Sequence, residues 1–310
     1  MATYELDGQD KTVEVEASHQ QWFDPTLLDI EPPLDAVLTG LPTALIDVGD
    51  AFKSNLTAAR HGAALPHYIL FGNYLMEARR RVYFEVLDHL YQQEQPVATH
   101  EAAEDIRSRA DEQAMAVYSS GDYLKSEAVR TLINLPVLYR HGVIGLSAPL
   151  ALRQATTEIW TAFEVLASDL FVAATDANPT LLTRVQSDAG LAGALRVKRS
   201  DLADPAQWPA IREDLHFNQL GGMSSAYAAL LPGNAAVQGV LADAKLNTLM
   251  QRRHILVHKA GKVDQTYIDK SHEVLPLGSA LQVNPSYVAE SIILVRDSGI
   301  TLLNEVAKSV

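Results

Sequence analysis

A chain of 310 residues, 47% hydrophobic and 20% charged, holds enough apolar sequence for a core, and at roughly 100–200 residues per domain it implies two domains. With no cysteine, a disulfide framework, a thiolate nucleophile and an iron–sulfur cluster are excluded, and a reducing, cytoplasmic setting is expected. The net charge of −13 argues against a nucleic-acid partner, but it is uneven: residues 1–145 hold 11 Lys/Arg against 22 Asp/Glu, and residues 146–310 hold 14 against 16.

The first forty residues read as irregular. Thr12-Val-Glu-Val-Glu alternates as one strand or half a hairpin would, and Pro25, Pro32 and Pro33 prevent any long regular element before Leu41. Nothing at the amino terminus resembles a signal peptide, and no apolar run approaches the roughly 18 residues of a membrane span. From Leu41 the pattern is helical. Tyr68, Phe71, Leu75, Ala78, Val82, Val86 and Leu90 recur at helical spacing, which predicts a long amphipathic helix over Pro66–Gln93. Further helices are expected over Thr99–Tyr118 and within Leu124–Tyr139.

His141-Gly-Val-Ile-Gly-Leu-Ser-Ala-Pro reads as a linker, with Ser147 as an N-cap and Pro149 in a first turn. Trp160, Phe163, Ala167, Leu170 and Ala174 form one helical stripe of core residues, ended by Asn178-Pro179. Pro205, Pro209 and Gly221-Gly222 leave room only for short helices between Asp201 and Gly222. One long helix is predicted from Asn234 to His258, closed by Gly261. Short strand character is expected at Val263 and near Leu281, and Asn284-Pro285 opens a last helix to about Val306. The fold class is all-α with minor β at the edges: an irregular segment 1–40, a helical domain 41–145 and a helical bundle 146–310.

Chemistry concentrates at the end of the helix closed by Gly261. Arg252, Arg253, Lys259 and Lys262 stand in a stretch without an acid. Cations suit a helix C-terminus in any case, through the helix dipole. Arg253, however, falls in line with the apolar stripe Leu246, Leu249/Met250 and Leu256/Val257. A guanidinium there needs a partner or a wet cleft, because an unpaired buried charge costs several kcal/mol. His254 and His258 are four apart and share a neighbouring face. Their spacing suits a zinc pair, but Ile255 replaces the glutamate of His-Glu-x-x-His and no third ligand is evident; no metal or cofactor is expected. Arg79-Arg80-Arg81 reads as a solvated face with ion pairs.

Arg253-His254-Ile-Leu-Val-His258 resembles the arginine–polar–three residues–histidine motif of the HEPN superfamily (higher eukaryote and prokaryote nucleotide-binding domains), and Lys259-Ala-Gly261-Lys-Val263-Asp264 resembles its continuation. Trp160-Thr-Ala-Phe163-Glu164 to Asp169, Asp214-Leu-His216-Phe217 and Asn284-Pro-Ser-Tyr287 are similar to other helices of the same group. The resemblance covers about residues 148–310. It implies a helical bundle that dimerises through this domain and cuts RNA without a metal, leaving 2′,3′-cyclic phosphate and 5′-hydroxyl ends. It implies His258 as general acid or base, Arg253 as phosphate clamp and His254 as an orienting group. Arg252, Lys259 and Lys262 become candidate RNA backbone contacts, and Glu164 or Asp169 a candidate orienting carboxylate. A toxin or antiviral-defence role follows by analogy, with an antitoxin or defence-system partner; a non-catalytic dimerisation scaffold and an effector-gated regulator are the alternatives. Ala260 stands where some of these toxins carry a modifiable tyrosine, which argues against silencing by that route.

Overall fold

The computed structural model describes residues 2–6, 9–13, 30–94, 99–120, 123, 143–195, 197–204, 206–213 and 217–310. These are helical apart from one antiparallel hairpin, β1 (Ala2–Leu6) and β2 (Gln9–Val13), in which Ala2 pairs with Val13 and Leu6 with Gln9. The chain is all-α in class, and among the described residues no helix is long and apolar enough to cross a membrane.

The described residues form two compact units, one holding the hairpin and residues 64–149, the other residues 30–63 and 150–310. The start of the first long helix is grouped with the C-terminal part. α1 (Glu31–Leu38) opens with Pro32 in its first turn, where a missing N–H costs nothing. α2 (Thr43–Glu94) and α4 (Val143–Ala177) each contain an interior proline, Pro66 and Pro149. Proline cannot donate to the carbonyl four residues back, so each helix is weakest there.

In the first unit, α3 (His100–Tyr118) starts where expected, with the Thr99 hydroxyl accepting from the Ala102 N–H at 3.2 Å. Leu90, Ile106 and Ala110 are buried against Tyr83, Val86 and Leu87. Arg109 grips Glu94 through two bonds of 2.7 and 2.6 Å. The arginine run is exposed and paired, with Arg79 at 3.4 Å from Asp111 and Arg80 at 3.9 Å from Glu77. The helix expected within Leu124–Tyr139 lies outside the described residues.

The second unit is built on α4. Trp160, Phe163, Ala167, Leu170 and Ala174 are fully buried, as their spacing requires. Helix α4 begins four residues before Ser147, so Ser147 and Pro149 are interior rather than cap and first turn. After it come α5 (Pro179–Ser187), capped by Asn178, and the short α6 (Ala189–Leu195), α7 (Arg199–Leu202) and α8 (Trp208–Glu213). Gly221-Gly222, expected as a break, lies in the first turn of α9 (Leu220–Leu230), whose Met223, Ala226, Tyr227 and Leu230 are buried. The Tyr227 hydroxyl donates to the Ala167 carbonyl at 2.9 Å.

The long helix expected from Asn234 to His258 is two, α10 (Ala235–Leu241) and α11 (Ala244–His258). Asp243 divides them because its carboxylate accepts from the N–H groups of Lys245 and Leu246, at 2.7 and 3.0 Å. α12 (Gln265–Ser271) and α13 (Pro285–Ala307) complete the unit, the latter capped by Asn284 as expected. The strand character at Val263 and Leu281 reduces to one bridge between Lys262 and Ala280.

Gly299 of α13 passes tightly against α2 and α4. A methyl group there would meet the buried ring of Phe52 well inside van der Waals contact and lie 2.9 Å from Leu166. Gly299→Ala is expected to destabilise the fold by about 1–2 kcal/mol despite alanine's better helix propensity, read as a lower urea midpoint.

Candidate active-site cleft

Helix α11 ends in a sharp reversal. The N–H groups of Lys259 and Gly261 both bond the Ile255 carbonyl, at 3.0 and 2.9 Å, and the chain turns through Ala260 (φ 52°) and Gly261 (φ 74°). Gly261 meets this demand without strain, and the spot a Cβ would take lies 3.7 Å from Arg153. Arg153 in turn donates to the Leu281 carbonyl at 3.2 Å. Ile255, Val263, Tyr267 and Leu281 close into one buried cluster, which folds α12 back along α11. Two polar ties hold it there: Asn247 Nδ2 to the Lys270 carbonyl at 2.8 Å, and the Thr248 hydroxyl to the Ser271 carbonyl at 3.4 Å.

This arrangement sends neighbouring side chains to different places, since successive residues on a helix diverge by about 100°. Arg252 turns into the α11–α13 junction. Its guanidinium meets Glu273 at 2.6 and 3.1 Å and stacks on Tyr287, 3.9 Å from the ring centroid. Tyr267 also donates its hydroxyl to Glu273. Burial pulls the Arg252 pKa down, but the bond and charge of Glu273 outweigh it and hold the group above its ordinary value. Burial pushes the Tyr287 hydroxyl up to about 12. Arg252 is thus a structural cation and does not join the cleft.

Arg253 faces the other way, into a cleft of about 250 Å³ that also receives His254, His258, Asp264, Thr266 and Lys270. Asn218, Gln219 and Met250 also line it. Arg253 is half-buried; its Nε is shielded from water and has no hydrogen-bond partner among the described residues. The predicted stripe is correct as far as Leu249. Beyond it Ile255 is buried while Val257 is exposed, so Arg253 stands on the flank of the buried face rather than in it. The imidazoles of His254 and His258 lie 4.9 Å apart between ring centroids, tilted by 50°.

Among the described residues, neither Arg253 nor Lys270 has an ion-pair partner. The one carboxylate among the described residues that line the cleft, Asp264, accepts from the Tyr267 N–H at 2.8 Å. Among the described lining residues, an arginine, a lysine and two imidazoles thus face one acid, a balance that favours an anion.

Burial, and then the charges of His258, Lys270 and Arg253, lower the His254 pKa below its ordinary value of 6.5, with Asp264 opposing. His254 therefore favours the neutral form, and its contribution to stability is complete above pH 6.5 and declines as pH falls below it. An NMR titration of the His254 ring is expected to show a midpoint below 6.5, and Lys270→Ala is expected to raise it. A midpoint indifferent to Lys270 would contradict this electrostatic picture.

Lys259 and Lys262 are exposed on the turn and do not line the cleft; Glu164 and Asp169 do not line it either. Asp214 and His216 lie outside the described residues, and Phe217 packs on Phe171 at 5.5 Å between ring centroids. No three of the described histidine, aspartate and glutamate side chains approach closely enough to hold a metal. Sequence reasoning missed Lys270, Thr266, Asn218 and Gln219. The signal for α12 was present, because Asp264 comes after a glycine break and caps the next turn.

No family model, curated protein or solved structure matches the chain.

Proposed function

We propose that the cleft is the active site of a metal-independent endoribonuclease of the HEPN type. The observation that carries the reading is Arg253, a guanidinium with no ion-pair or hydrogen-bond partner among the described residues, opening on the cleft that holds both histidines. A structural arginine finds a carboxylate, as Arg252 does; a phosphate-binding one keeps its fork for the ligand.

In the proposed reaction the ribose 2′-oxygen attacks the adjacent phosphorus while its proton passes to an imidazole. The phosphorus–O5′ bond breaks, and the departing 5′-oxygen takes a proton from a second imidazole. The products are a 2′,3′-cyclic phosphate and a 5′-hydroxyl. Histidine suits both proton roles near neutrality. Arg253 neutralises the charge that grows on the phosphorane oxygens. His258 is one proton-transfer imidazole and the His258 of a second copy is the other, while His254, 4.9 Å from His258, orients it or the phosphate. A homodimer would bring two such sets to one phosphate, in a toxin or defence setting with a neutralising partner.

The test is cleavage of total RNA in EDTA by wild type, Arg253→Ala and His258→Ala, with analysis of the ends. Cleavage by wild type alone, leaving cyclic phosphates, is the expected result. Equal cleavage by all three would place the activity elsewhere, and none by wild type would leave the cleft a binding site.

A further inference from the structure

We propose that Asn218, Gln219 and Lys270 form a subsite for one nucleotide beside the scissile phosphate, with Lys270 holding its phosphate and the two amides reading its base. The proposal rests on the nuclease reading of the same cleft.

Three observations lead to it. First, Lys270 has no ion-pair partner among the described residues, although it lies in a cleft with Arg253. Its backbone is tied to α11 through Asn247, so the rim that carries it is fixed relative to the Arg253 helix. Its charge reaches His254. An ammonium so placed is a point contact for a second phosphate, where Arg253 offers a fork for the first.

Second, Asn218 and Gln219 form a two-residue polar turn between two buried apolar anchors. Phe217 packs on Phe171, and Leu220, also buried, donates its N–H to the Met250 sulfur at 3.4 Å. The turn is thereby pinned to the residue three before Arg253. Gln219 occupies the N-cap position of α9 but does not cap it, and among the described residues neither amide has a hydrogen-bond partner. Carboxamides offer paired donor and acceptor groups that match base edges, and single-stranded RNA leaves those edges free.

Third, one cleft of about 250 Å³ holds Asn218, Gln219 and Lys270 together with Arg253 and both histidines, so these three side chains adjoin the proposed scissile phosphate. Phosphate contacts position a nucleic acid and base contacts specify it, so the two parts of the subsite have separable signatures.

The experiment measures binding of the full chain to labelled single-stranded deoxyoligonucleotides of adenine, cytosine or thymine, which lack the attacking hydroxyl, over a range of salt. Wild type is expected to prefer one base by about tenfold. The double variant Asn218→Ala/Gln219→Ala is expected to bring the three affinities within about twofold of each other and leave the salt slope unchanged. Lys270→Ala is expected to weaken all three alike and reduce the slope by about 0.7, the value for one lost contact to a single strand. Equal affinities in wild type, discrimination that survives the double variant, or an unchanged slope in Lys270→Ala would each overturn the subsite. If wild type cleaves RNA while any of these holds, the subsite fails and the nuclease stands. Base-selective binding without cleavage would support the subsite and remove the nuclease. Neither binding nor cleavage would remove both.

Discussion

Arg253→Ala is expected to lower RNA cleavage by about 10²–10³-fold, and His258→Ala by about 10²–10⁴-fold, with neither change unfolding the protein. The arginine estimate comes from removing one preorganised donor to a charge that grows only in the transition state. Its effect on stability should be small or favourable, because the Nε is already buried without a partner among the described residues and truncation relieves that cost. Arg253→Lys keeps the charge but loses the fork, so it should recover only part of the rate. Initial rates on one defined RNA, paired with urea unfolding of each variant, separate catalysis from folding. Full activity in Arg253→Ala would remove the argument for this cleft.

The adjacent arginine should behave in the opposite way. Arg252→Ala is expected to destabilise the fold by about 3 kcal/mol. Its side chain is 11% exposed and that of Glu273 24%, and they meet in two hydrogen bonds over the face of Tyr287. Truncation leaves a half-buried carboxylate with the Tyr267 hydroxyl as its remaining strong donor. It also forfeits a stacked cation worth about 1–2 kcal/mol. The double variant Arg252→Ala/Glu273→Ala should cost clearly less than the two single changes together, since each single change strands the other partner. Urea midpoints of the four proteins measure the coupling. A cost for Arg252→Ala below about 0.5 kcal/mol would show that the pair is solvated rather than structural.

Much of the architecture was legible wherever a local signal decided it. Thr99 and Asn284-Pro285 opened helices at the expected residues, because their side-chain acceptors satisfy first-turn N–H groups whatever the surroundings. The stripe from Trp160 to Ala174 is fully buried because one helical face must leave water. The errors fell where two local signals competed. At Asp243 the apolar periodicity ran on while a carboxylate offered the backbone a cap, and the cap prevailed. At Gly221-Gly222 packing of Leu220, Met223 and Tyr227 overrode a poor helix propensity. Near Ser147 a helix already under way carried the serine and Pro149 past their usual positions.

Within the cleft, the sequence alone determined that Arg253, His254 and His258 share one region of a helix, since so short a span of α-helix allows little else. It also determined the all-α class and the principal helix starts. Which of two neighbouring arginines was structural, and which was left open to a ligand, only the tertiary structure decided. That choice depends on Glu273 and Tyr287, which are distant in the chain and arrive at Arg252 when α12 folds back and α13 packs on α11. Lys270, Asn218 and Gln219 reach the cleft in the same way, through buried anchors and backbone ties that no local spacing encodes. Periodicity and capping are short-range energies and can be read residue by residue. The partner of a charge is settled only when distant segments have paid the entropy of meeting.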